Sequence, residues 1–198
     1  MTDDDNILKV RRFAQKNSQQ DDIHGFSHVE RVYEMCTKMG KDLNANVRIL
    51  KISALLHDVG RIKPEKYSKL TSHAEVSAEM ALEFLRASEL SLSQEDIDRI
   101  VHAIRAHSFS NDVIPETLEA KILSDADKLD ALGAIGLYRT IGFTVQNEGG
   151  ISTVIEHLEN KILKLKDQMY LDVSKEIAEK RQQIILEFYN KIKSNPQL

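Results

Sequence analysis

Residues 53–64, SALLHDVGRIKP, close an apolar run that begins at Val47 and set His57 and Asp58 at its end, just before Gly60 and Pro64. In VRILKISALLHD the apolar residues recur at helical spacing and Asn46 stands where an N-cap belongs, so a helix over 47–58 is expected. An imidazole and a carboxylate buried at the end of such a helix each cost roughly 2 kcal/mol or more without a partner. A metal ion is one such partner. Neighbouring side chains on a regular helix diverge by about 100°, so both reach one ion only if it sits off the helix end. Gly60 and Pro64 supply that end.

The same three-to-four period continues on both sides. Leu82, Leu85 and Leu90 follow it, as do Ile97, Ile100, Val101 and Ile104, and no stretch alternates as a strand would. Ser93 before QEDIDRIV reads as another N-cap with acidic residues in the first turn. The expected fold is all-α, with about eight helices near 4–18, 26–43, 47–58, 71–88, 94–107, 117–139, 151–167 and 172–193. From Ile151 onward, Ile155, Leu158, Ile162, Leu165 and Met169 form one apolar stripe, and Ile177, Ile184 and Phe188 another. These C-terminal helices are expected to cover the core of their own chain. A seam between two copies, a homodimer, is the alternative.

The chain has 198 residues, 41% of them hydrophobic, enough for one good core. A single domain over 1–198 is expected, with its core at about 22–140 and a helical extension at 151–193. Lys and Arg number 27 against 31 Asp and Glu, a net charge of −4, which argues against a surface built to neutralise polymeric nucleic acid. One cysteine, Cys36, excludes disulfide frameworks and thiolate metal sites and suits a reducing compartment. The opening MTDDDNILK is acidic and lacks an apolar run of export length, and no window is long and apolar enough for a membrane span. A cytoplasmic protein acting on a small ligand, with no membrane partner, is the expectation.

His28 opens the helical segment HVERV, with Arg31 one turn further on the same face. Asp125, Asp127 and Asp130 lie in ILSDADKLDALG, which also carries the apolar positions Ile122, Ala126, Leu129 and Leu132. Imidazole with carboxylate suits manganese, iron, zinc or nickel better than calcium, which prefers oxygen throughout. Asp125 and Asp127, two residues apart, point about 200° apart on a helix, so only one of them can face an ion.

The ordered set HxxRV, LLHDVGRI and DADKLDAL, with GFSHVERV, HAIRAHSFS and KILSDADKLDALGAIGLYRT around it, resembles the metal-dependent HD phosphohydrolase superfamily, and within it the small stand-alone bacterial nucleotide hydrolases. The resemblance runs roughly from Asp22 to Phe188. It implies metal ligation by His28, His57, Asp58 and Asp127, leaving Asp125 and Asp130 as outer or substrate-side groups. The implied cofactor is a divalent ion, manganese first, with magnesium, cobalt, nickel, iron and zinc as alternatives.

His73 and His107 correspond to positions that hold a second metal in HD-GYP phosphodiesterases. Ala106 and Phe109 depart from that pattern, so substrate-facing, second-metal and structural roles all stay open for the two histidines. Some nucleotidases of the superfamily have a glutamate three residues after the HD aspartate; here it is Arg61, which favours di- or triphosphates over monophosphates. Asp58, His107 and Arg61 are the expected catalytic groups, and Arg31, Lys128, His73 and Asp130 the substrate-side ones. Lys63, Lys66 and Lys69 could track a triphosphate tail or simply form a solvated turn. The expected activity is metal-dependent hydrolysis of nucleotides, (deoxy)nucleoside triphosphates foremost, with pyrophosphate released. Cyclic nucleotide or dinucleotide phosphodiesterase activity, or a non-catalytic nucleotide-binding module, are the alternatives.

Overall fold

Asn46 starts the helix that organises the first half of the chain: its side chain accepts from the Ile49 amide at 3.2 Å, satisfying one of the orphan donors of α3 (Val47–Leu56). From there Ile49, Leu50, Ile52, Leu55 and Leu56 are wholly buried. Each such side chain contributes about 1.5–3 kcal/mol of hydrophobic stabilisation. α3 packs against α1 (Asp3–Lys16), α2 (Phe26–Asp42), α4 (His73–Ala87) and α5 (Gln94–Ala106). The structure, a computed structural model, describes residues 3–62, 64, 67–68, 71–108 and 111–194. Lys63, Lys66, Lys69 and Phe109 lie outside the described residues.

The chain forms two compact units that divide between Ser124 and Asp125. In the first, Val29, Val76, Ile100 and Ile104 join the α3 residues in one core, and Phe13 of α1 stacks on Phe84 of α4 at 4.1 Å between centroids. α4 begins where Ser72 accepts from the Glu75 amide, and α5 where Ser93 and Asp96 exchange bonds in a capping box. Glu119, in the first turn of α6 (Leu118–Asp130), accepts from the Asn46 amide at 2.8 Å and from Arg99 at 2.9 Å, tying α6 to the start of α3 and to α5.

The second unit begins within α6 and continues through α7 (Gly133–Gln146), α8 (Ile151–Asn160), a 3-10 helix (Ile162–Gln168) and α9 (Asp172–Lys193). Its buried residues include Leu158, Ile162, Leu165, Ala178 and Ile185. The described residues hold nine α-helices and no named strand, so the all-α expectation is met. No helix among them is long and apolar enough to cross a membrane.

Two expected helices are broken. The stretch 117–139 splits into α6 and α7 because, past the end of α6 at Asp130, Leu132 is extended (φ −110°, ψ 163°) and Gly133 takes φ +74°, neither of which continues an α-helix. Gly136 then lets the Ala131 carbonyl approach where a Cβ would lie 2.1 Å away. The stretch 151–167 leaves α-helical geometry at Lys161 (φ −131°, ψ −63°) and tightens into the 3-10 helix. There residues three apart share a face, which buries Ile162 and Leu165 together.

Candidate metal centre

Four helix ends of the first unit bring four imidazoles around one carboxylate. His28 sits in the first turn of α2, His57 is the C-cap of α3, His73 opens α4 and His107 is the C-cap of α5. Asp58, at the centre and 2% exposed, follows directly on the end of α3. Its Oδ2 lies 3.5 Å from His28 Nε2 and 3.6 Å from His57 Nε2; its Oδ1 lies 3.6 Å from His73 Nε2 and 3.7 Å from His107 Nε2. Two groups of three potential ligands therefore share Asp58, one on each oxygen.

Tautomers follow from the backbone. His57 Nδ1 is 2.7 Å from the Ala54 carbonyl and His107 Nδ1 is 2.6 Å from that of Ile104. A carbonyl only accepts, so each Nδ1 carries a proton, and Nε2 faces Asp58 with a lone pair in the neutral ring and with a second proton in the imidazolium. This is the arrangement in which a carbonyl orients a metal-ligating histidine. His57 Nε2 and His28 Nε2 are 3.3 Å apart. Two ligand atoms held about 2.1 Å from one ion stand roughly 3.0–3.4 Å apart, close to these spacings.

Asp58 Oδ1 is buried and accepts no hydrogen bond, an arrangement that costs about 1–3 kcal/mol in a purely structural cluster. A cation on that oxygen removes the cost. The donor set and the orphaned oxygen both fit a divalent ion. Burial drives the Asp58 carboxyl upward, but Arg61 first, then His57, His28 and His73, outweigh it and hold the group well below the usual carboxylate range. Asp58 is thus ready to ligate at neutral pH.

Gly60 fixes the approach of α4. A Cβ there would lie 2.4 Å from the Ser77 amide nitrogen and 2.9 Å from the His73 carbonyl oxygen, while the Gly60 amide donates to Ser77 Oγ at 2.9 Å. The helix stop read from the sequence is also a close-contact point that carries His73 to Asp58. Arg61 donates Nε–H to Asp58 Oδ2 at 2.5 Å. With 26% side-chain exposure it forms, together with His73 at 20%, the more open side of the cluster. Arg31 lies on α2 one turn beyond His28, half-buried.

Around His73 and His107 stand groups that the sequence reading did not single out. Arg105 holds Glu75 through two bonds of 2.7 and 2.8 Å, Ser72 donates to Asn111 Oδ1 at 2.5 Å, and Asn111 Nδ2 donates to the Arg105 carbonyl at 2.8 Å. Ser124 Oγ donates to the His107 carbonyl at 3.1 Å. Their signal was adjacency: Ser72, Glu75 and Arg105 lie within two residues of a site histidine.

The other expected residues belong to the second unit. Asp125 accepts from the Tyr170 and Leu171 amides at 2.9 and 3.0 Å, holding the start of α9; burial pushes its carboxyl up despite those donors. Lys128 is buried with its ammonium 5.2 Å from the centre of the Tyr170 ring, and burial pushes its pKa down although Asp127 and Asp125 favour the charge. Asp130 is paired with Arg139 at 2.7 Å. Asp127 stands on α6 between these groups.

The family model described as HD domain matches residues 25–132. The Bacillus subtilis protein YpgQ is 29% identical over 180 residues, 87% of this chain and 84% of that protein. A crystal structure of YpgQ in complex with ADP aligns over 99% of this chain and 98% of its own, with TM-score 0.76 and 27% identity. An HD-superfamily hydrolase from Bacillus thuringiensis aligns over 97% of each chain, with TM-score 0.73 and 26% identity. Ribonuclease Y of Chloroflexus aurantiacus is 30% identical over 120 residues, a match that covers only 21% of that enzyme.

Proposed function

Because the chain belongs to the HD-domain family of metal-dependent phosphohydrolases, we propose that it hydrolyses nucleotides, with (deoxy)nucleoside triphosphates as substrates and pyrophosphate as a product. The observation that carries this reading is Asp58 Oδ2, buried 3.5 Å from His28 Nε2 and 3.6 Å from His57 Nε2. The ADP held by YpgQ supports a nucleotide as ligand. The net charge of −4 favours a small substrate over a polymer.

In this reading His28, His57, Asp58 and Asp127 hold the ion, manganese being the first candidate. Asp127 is preferred to Asp125 because both Asp125 oxygens already accept backbone amides. Bound there, a dication lowers the pKa of its water and draws charge from a phosphoryl oxygen. Arg61 meets the phosphate oxygens on the open side of the cluster, where a guanidinium makes paired, charge-assisted bonds. His107 and His73, their Nε2 atoms beside Asp58 Oδ1, are placed to take up or return a proton. Arg31, Lys128 and Asp130 are the remaining substrate-side groups of the reading. The buried thiol of Cys36, which forms no disulfide, agrees with a cytoplasmic setting.

The second group, Asp58, His73 and His107, favours a second reading in which two ions share Asp58 and the substrate is a cyclic nucleotide or dinucleotide. One experiment separates the two. Manganese-loaded protein is incubated with nucleoside mono-, di- and triphosphates, cyclic dinucleotides and a short RNA, while released phosphate and pyrophosphate and the metal content per chain are measured. Pyrophosphate from triphosphates at one ion per chain supports the first reading. Cleavage confined to diesters at two ions supports the second, and an Asp58→Ala protein that remains as active as the wild type refutes both.

A further inference from the structure

Arg61 occupies the very oxygen that an ion between His28 and His57 would need. Its Nε lies 2.5 Å from Asp58 Oδ2, and the same Oδ2 lies 3.5 Å from His28 Nε2 and 3.6 Å from His57 Nε2. A guanidinium keeps its charge at every accessible pH, so a dication entering between the two imidazoles arrives beside a fixed positive charge and competes with it for one carboxylate oxygen. The freedom to move is unequal. Asp58 is 2% exposed and begins the turn after α3, whereas Arg61 is 26% exposed on the open side of the cluster. Only Arg61 can turn outward, and doing so brings it toward whatever anion approaches from that side.

Resting on the metal-dependent nucleotide reading above, we propose that Arg61 is an exchange residue: it holds Asp58 Oδ2 while the ion is absent and passes to the phosphate oxygens of the nucleotide when the ion takes that oxygen. Metal and nucleotide then assist each other. The ion releases the guanidinium that the phosphate needs, and the phosphate removes the positive charge that opposes the ion. Because coupling between two ligands is reciprocal, each tightens the other's binding by the same factor. The arrangement also keeps a metal-loaded hydrolytic site from persisting without substrate, since the free protein binds the ion less tightly than its imidazoles and carboxylate would on their own.

The test measures free Mn2+ by electron paramagnetic resonance in titrations of wild type, Arg61→Gln and Arg61→Lys, each with and without ADP, with the solution Mn–ADP equilibrium measured in parallel without protein. Arg61→Gln is expected to bind Mn2+ about tenfold more tightly than wild type in the absence of nucleotide, within the usual range of coupling between sites. In wild type ADP is expected to tighten Mn2+ by about tenfold, and in Arg61→Gln by far less. Arg61→Lys keeps the charge but loses the planar contact, so it is expected to fall between the two and serves if the glutamine variant does not fold. Unchanged or weaker Mn2+ binding in Arg61→Gln overturns the proposal, because Arg61 then only orients Asp58; so does an ADP effect equal in both proteins. A wild type that binds no Mn2+ overturns both this proposal and the functional reading, whereas the expected Mn2+ and ADP effects without any hydrolysis of nucleotides overturn the functional reading alone.

Discussion

Adding one methyl group at Gly60 tests how the site is held together. The Cβ of Gly60→Ala would lie 2.4 Å from the Ser77 amide nitrogen, 2.8 Å from the Val76 carbonyl carbon and 2.9 Å from the His73 carbonyl oxygen. All three are backbone atoms of α4, so no side chain can turn away to make room. Ordinary contact requires the first turns of α4 to retreat by about 1 Å, and overpacking of this kind costs about 1–3 kcal/mol. The retreat also stretches the 2.9 Å bond from the Gly60 amide to Ser77 Oγ, adding about 1 kcal/mol. A total of about 2–4 kcal/mol lowers the melting temperature of a chain of this size by about 5–15 °C. Since His73 is the first residue of α4, the shift also draws its imidazole away from Asp58. Calorimetry of the metal-free protein and Mn2+ titration read the two effects separately. If Gly60→Ala melts within about 2 °C of wild type, the close packing of α4 on the turn after Asp58 does not hold, and with it goes the account of how His73 reaches the cluster.

Removing the Asp58 carboxylate while keeping its shape, Asp58→Asn, is expected to lower metal-dependent hydrolysis at least 100-fold and to abolish the rise in melting temperature on adding Mn2+, a rise that corresponds to about 2.7 kcal/mol at one hundred times the dissociation constant; wild-type-like protection by Mn2+ refutes Asp58 as a ligand. Glu119 is pushed up by burial, but the Asn46 amide and Arg99 bring its pKa below the ordinary glutamate value. Its stabilisation is therefore present above the unfolded-state pKa and is lost as pH falls through the folded one. Glu119→Gln is expected to cost about 1–2 kcal/mol in urea unfolding at pH 7 and progressively less as acid protonates the wild-type glutamate, so a gap that widens in acid is the refuting result. Gly133→Ala places a side chain at φ +74°, where the nearest atoms beyond its chain neighbours stand at 3.5 Å. Its cost, about 1 kcal/mol, is that of the backbone alone, and a stabilised variant in thermal melts contradicts the assignment.

The alternation of polar caps with three-to-four periodic apolar residues was enough to show an all-helical chain, because helix stabilisation comes from local capping and from one buried face, both of which are written in short stretches. His28, His57 and Asp58 were legible as site residues for a similar local reason: two ionisable groups at the end of an apolar run need a partner, and a histidine opening another helix can be one. What the sequence left open was where His73 and His107 belong. Tertiary packing decided it, because the ends of α4 and α5 meet the turn after α3 through the close contact at Gly60 and the packing of α5 on α3, and no spacing along the chain encodes that meeting. The division of 117–139 at Gly133 and the 3-10 turn from Ile162 to Gln168 were also beyond a periodic reading. A left-handed glycine leaves the apolar period unbroken, and a tighter helix is chosen by what it must bury, not by a breaker residue. His28, His57 and Asp58, one group able to hold an ion, could thus be named from the chain alone, whereas that His73 and His107 join Asp58 in a second group, and that Arg61 shares one of its oxygens, followed only from where the helix ends come together.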